Sequence, residues 1–135
     1  MIMRRFIVIL GAIAAAVVLA APPASAGSPH FVTVSASSSG SSLTVSGKEA
    51  GLGNESQVHI VVSATALCVN KGGNHPSAEN KGSFSADGTF PVQNGKANFS
   101  LTIFATISPP CSPPMTLTWT NITVTDTTNG ISTGV

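Results

Sequence analysis

Two long stretches of this chain alternate apolar and polar residues with a period of two, and that alternation constrains the fold more than any other feature. In VHIVVSATALC, Val58, Ile60, Val62, Ala64, Ala66 and Cys68 fall on one side, with His59, Val61, Ser63, Thr65 and Leu67 on the other. In KANFSLTIFATI, Ala97, Phe99, Leu101, Ile103, Ala105 and Ile107 share a side opposite Asn98, Ser100, Thr102 and Thr106. Successive side chains of an extended strand point to opposite faces, so this period specifies half-buried strands rather than helices. Weaker alternation marks further strands expected over 30–36, 42–49, 83–86, 89–93 and 115–127. In the last of these, Leu117 and Trp119 are in one phase and Ile122 and Val124 in the other. A bulge, or a move between sheets, is expected near Asn121. Asn94-Gly95 has the chemistry of a type I′ hairpin turn, and Asp87-Gly88 is a second candidate turn.

About seven short strands separated by Gly, Pro and Asn imply an all-β, two-sheet, immunoglobulin-like β-sandwich. A small β-barrel satisfies the same alternation and is the alternative. No internal repeat is evident, and residues 27–135 are expected to form a single β domain.

The segment before that domain reads differently. Arg4 and Arg5 precede the uncharged run from Phe6 to Ala20, which is followed by APPASA. A basic start, a short apolar run and Ala24-Ser25-Ala26 are the parts of a secretory signal peptide, expected to span residues 1–26. The apolar run is short for a membrane span, so no span is expected once the signal is cleaved. The protein is therefore expected to be secreted and extracellular. The remaining chain carries four lysines, no arginine and five carboxylates. That balance cannot neutralise a row of phosphates, so nucleic acid is not an expected partner.

Cys68 and Cys111 are the only cysteines. In an exported chain a lone pair reads as one disulfide. Neither lies in a CxxC, and no histidine follows at metal-ligand spacing. Cys111 sits within SPPCSPPM (108–115), where two Pro-Pro pairs impose stiff extended backbone. Cys68 opens CVNKGGNHPSAENKG (68–82), a polar loop in which Asn70, Asn74, His75 and Glu79 are candidate surface-contact residues.

GKEAGLGN (47–54), CVNKGGNHPSAENK (68–81), an isolated Cys in a proline-rich loop and TNITVTDTTNG (120–130) together resemble a set of small secreted bacterial proteins. The resemblance covers most of the chain after residue 26. It implies an exported β domain with one disulfide and brings no activity with it.

Catalytic chemistry finds few residues to use. The histidines after residue 26 are His30, His59 and His75. His30 lies at the start of the domain, where order is expected to be poor, and His59 is expected to face solvent. There is no GxSxG elbow, no HExxH and no tight acid pair along the sequence. No catalytic residue, metal ligand or cofactor is assigned, beyond a weak calcium site conceivable at Glu79 and Asp87. Trp119 alternates with Leu117 and is expected in the core rather than on a sugar-binding platform. Phe104 stands on an otherwise polar face and is expected under a loop or at a sheet edge, with a place in a contact surface as the alternative. The expected role is a non-enzymatic secreted domain with an unknown extracellular or cell-envelope partner. The alternatives are a protease inhibitor presenting PPCSPPM and an enzyme with an unrecognised site.

Overall fold

The computed structural model describes residues 27–70, 81–108, 110–111 and 115–135. Among these residues seven strands form: β1 (His30–Ser39), β2 (Ser42–Ala50), β3 (Gln57–Val69), β4 (Lys81–Pro91), β5 (Ala97–Phe104), β6 (Thr116–Asp126) and β7 (Ile131–Gly134). They make two antiparallel sheets, ordered β1-β2-β5 and β4-β3-β6-β7. The sheets pack face to face as an immunoglobulin-like sandwich, with no closed barrel. Unlike the constant-type arrangement, the fourth strand pairs with the third instead of joining the first sheet.

The core lies between the sheets and follows from the alternation. β2 contributes Leu43 and Val45, β5 contributes Ala97, Phe99 and Ile103, and these meet Val58, Ile60, Val62 and Ala64 of β3 and Val124 of β6. Burying each large apolar side chain contributes about 1.5–3 kcal/mol. Phe99 packs edge-on against Phe31 at 6.1 Å and tilted against Phe90 at 6.2 Å, linking β5 to β1 and β4. Trp119 is half-buried against the core and meets Phe84 edge-on at 6.3 Å, as expected of a core residue.

Three local expectations change. Asp87-Gly88 is not a turn: both residues lie inside β4, opposite Val61 and Ile60, so 83–86 and 89–93 belong largely to one strand. The partner strand β3 runs uninterrupted past them, and its ladder outweighs the local turn preference. His30 is not in a loose lead-in. It opens β1 opposite Ala50, and its Nδ1 lies 2.7 Å from the Ser28 carbonyl oxygen. β7 was not anticipated, because ISTG is too short to show a period.

Two expectations match the structure. Asn94 and Gly95 have φ of 55° and 76°, and Gln93 and Lys96 bridge across them, as a type I′ turn requires. This turn carries the chain from one sheet to the other. At Asn121 φ is 52°, and the β3–β6 register shifts between Ser63 and Thr65, which face Thr123 and Thr120. The extra residue brings Trp119, Ile122 and Val124 to the same core despite their change of phase.

Candidate functional site

The strands run between two ends of the sandwich with different chemistry. At the first end, the AGLGN segment leaves β2 as a tight loop. Gly51 and Gly53 have φ of 76° and 58°, which lets Leu52 turn back into the core, where it is buried. The Leu52 N–H donates to the Gly95 carbonyl at 3.0 Å, and the Glu55 N–H donates to the Leu52 carbonyl at 3.2 Å. The TDTTNG segment arrives at the same end as the β6–β7 turn. The Gly130 N–H donates to the Asp126 carbonyl at 2.8 Å, and the Thr127 N–H to the His59 carbonyl at 3.0 Å.

Between these two segments lie Glu49 of β2 and Asp126 of β6, each 0 % exposed. The sequence showed no tight acid pair, because 76 positions of chain separate these carboxylates; sheet packing brings them together. Asp126 is well supplied with donors. Its Oδ1 accepts from the Thr128 N–H at 2.8 Å and the Asn129 N–H at 3.1 Å. Its Oδ2 accepts from the Asn129 amide at 2.7 Å, and the same amide reaches Glu55 Oε1 at 3.1 Å. Neither Glu49 oxygen has an N–H or hydroxyl donor among the described residues, and the Asp126 carboxylate lies near enough to act on it. Two carboxylates can share a hydrogen bond only if one holds a proton. Burial, the hydrogen bond to Asp126 and the negative charges of Asp126 and Glu55 push Glu49 up to about 8. Burial also raises Asp126, but the bonds from Glu49, Asn129 and Thr128 outweigh it and hold that carboxyl below its ordinary value. A pair with no solvent exposure touches no substrate.

On the outer face of the β3–β4 pair, His59 Nε2 lies 2.9 Å from Asp87 Oδ2, and His59 Nδ1 lies 3.0 Å from Thr89 Oγ1. His59 thus faces outward as expected, with both ring nitrogens engaged. If Nε2–H donates to Asp87, Nδ1 accepts the Thr89 hydroxyl proton, the hydrogen-bond order of a nucleophile, base and acid. The Asp87 side chain is 62 % exposed, which limits the ion pair to about 0–1 kcal/mol.

At the opposite end, Cys68 and Cys111 are joined in a disulfide with a Cα–Cα distance of 5.5 Å. It ties the end of β3 to the crossover between β5 and β6. Ala66, Leu67 and Cys68 are buried in succession, so both faces of β3 are covered here. A cleft opens beside the disulfide, lined by Ser41, Ala105, Ile107, Pro110, Cys111 and Leu117 among others. Phe104, which ends the edge strand β5, is 69 % exposed. It lies at a sheet edge, one of the places expected for it, and no loop among the described residues covers it. Asn70 follows β3 at this end and is half-buried. Asn74, His75 and Glu79 lie outside the described residues, as do Pro109 and positions 112–114 of the proline loop. Among the described residues no group of His, Cys, Asp and Glu is arranged to hold a metal ion. No helix among them is long and apolar enough to cross a membrane.

No family model matches the chain, and no curated protein or solved structure matches it either.

Proposed function

We propose that this is a secreted, non-enzymatic domain that binds a partner outside the cell or at the cell envelope through its disulfide end. The observation that carries the reading is Phe104, a large aromatic exposed at the end of β5 and joined directly to Ala105, which lines a cleft with apolar walls at Ile107, Pro110 and Leu117. Isolated exposed apolar residues are ordinary, but an aromatic next to such a cleft is the composition of a contact surface. The disulfide supports it by fixing the crossover to β3, which lowers the ordering cost of binding. Export is supported by the amino-terminal sequence and is compatible with the disulfide.

The test is retention on isolated bacterial envelopes and on immobilised extracellular proteins. We expect Phe104→Ser to reduce retention of the mature chain by about tenfold or more without lowering its melting temperature, as for an exposed contact residue. Equal retention of Phe104→Ser and the parent protein would remove the surface from consideration.

A second reading follows from the His59 relay. An enzyme using Thr89 as nucleophile would hydrolyse activated esters, and Thr89→Ala and His59→Ala would each abolish that hydrolysis. Hydrolysis no faster than in buffer, or unaffected by either substitution, argues against it.

A further inference from the structure

Glu49 and Asp126 stand on different sheets, both fully buried, and Glu49 has no donor among the N–H and hydroxyl groups of the described residues. We infer that they form a proton-binding site that fastens β2 to β6, and that removing this one proton loosens the end of the sandwich where AGLGN and TDTTNG meet. An ionised carboxylate with no solvent and no donor is costly in a protein interior, and two facing one another are costlier. A proton on Glu49 removes both costs, since its O–H donates to Asp126 while Asp126 keeps its charge and its donors from Thr128 and Asn129.

Among the described residues the surroundings offer no compensating cation. Across the ladders, Glu49 lies opposite Phe31 of β1 and Ala97 of β5. Asp126 lies opposite Ile60 of β3 and Ile131 of β7. The AGLGN side contributes Glu55, a second negative charge, and the β6–β7 turn contributes the neutral Asn129. The neighbouring basic groups are placed otherwise. His30 turns to the Ser28 carbonyl, His59 to Asp87 and Thr89, and Lys48 and Lys96 are exposed.

The pH dependence follows by linkage. Below the ordinary value of 4.5, folded and unfolded chains both carry the Glu49 proton. From there to about 8 only the folded protein keeps it, so unfolding releases a proton and rising pH favours the unfolded chain. Above about 8 the folded protein loses it as well, and the loss of stability levels off. Asp126 acts in the opposite sense: its contribution is present above its ordinary value of 3.8 and fades as pH falls through its lower folded value. Together they place the stability maximum in mildly acidic solution.

Two measurements on the mature chain test this. Thermal unfolding of the parent protein and of Glu49→Gln is followed from about pH 5 to pH 9. We expect the parent melting temperature to fall by about 5–15 °C over that range. Glu49→Gln donates to Asp126 from a neutral amide at every pH, so its profile should be flatter and its melting temperature higher at the alkaline end. Infrared spectroscopy at neutral pH should show a protonated-carboxyl band in the parent protein, and this readout stands even if the variant fails to fold. A parent melting temperature that is flat or rising overturns the inference, as does absence of the band or its survival in Glu49→Gln. Stabilisation of the alkaline parent by calcium, lost in the variant, would also overturn it and assign the site to a cation.

Discussion

Gly51 shows how much one residue of the AGLGN loop has to satisfy. Its φ is 76°, and a Cβ there would collide with the backbone carbonyl of Ser28. Gly40, in the β1–β2 turn, has φ of 59° and nothing within 4 Å of the same position. Gly40→Ala should therefore cost only the left-handed backbone, about 1–2 kcal/mol, while Gly51→Ala should cost more because Gly27–Pro29 must also move. Chemical denaturation of the two variants measures the difference; equal losses would mean that the amino-terminal segment is not held against the loop. Leu52, at 1 % exposure, makes the loop a plug for the core, and Leu52→Ala should destabilise by about 2–5 kcal/mol in the same assay. The buried acids were legible in the sequence in one respect. Glu49 is in phase with Leu43 and Val45, and Asp126 with Ile122 and Val124, so each occupies a core position of its strand. What the alternation leaves open is that the two core positions face one another.

At the scale of elements, local signals succeeded where they did not compete with a neighbour. Asn94-Gly95 turns the chain as its chemistry requires, and Asn121 takes the left-handed conformation at the bulge. Asn tolerates that conformation and a β-branched residue does not, so Asn121→Val should cost about 1–2 kcal/mol, whereas Asn121→Gly should be close to neutral. Melting temperatures of the pair check this, and a tolerant Asn121→Val would mean that the bulge can be expelled. Asp87-Gly88 failed as a turn because cross-strand pairing with Val61 and Ile60 decides its conformation. The disulfide belongs to this scale too. With a sequence separation of 43, it closes a long loop in the unfolded chain. Replacing Cys68 and Cys111 together by serine should cost about 2–5 kcal/mol under non-reducing conditions, read by urea unfolding.

Over the whole molecule, β3 connects the two ends. It has 13 residues, pairs on both sides and supplies the centre of the core, whereas β7 has 4 residues and one partner. Its termini stand about 40 Å apart for an extended strand, far beyond the reach of direct coupling. Combining the double serine variant with Glu49→Gln should therefore give additive stability changes within about 0.5 kcal/mol at fixed pH. A larger discrepancy in denaturation would show that the sheets transmit strain from the disulfide to the carboxylates.

The alternation in 58–68 and 97–107 by itself determined that these segments are strands with one buried face, because a period of two places every second side chain on the same side; without a helical pattern to cover that face, it left a two-sheet sandwich or a small barrel. Two cysteines allowed only one intramolecular pairing, Asn-Gly placed a turn, and the change of phase placed a bulge or a move between sheets near Asn121, of which the structure shows the bulge. Only the tertiary structure decided which strands share a sheet, that 81–91 is one strand, and that Glu49 meets Asp126. It also decided that Thr89 and Asp87 flank His59. Each of these is a contact between residues distant in sequence, or a choice between local preference and a partner's hydrogen bonds. The energy that settles such a choice belongs to the pair and cannot be read from either segment alone.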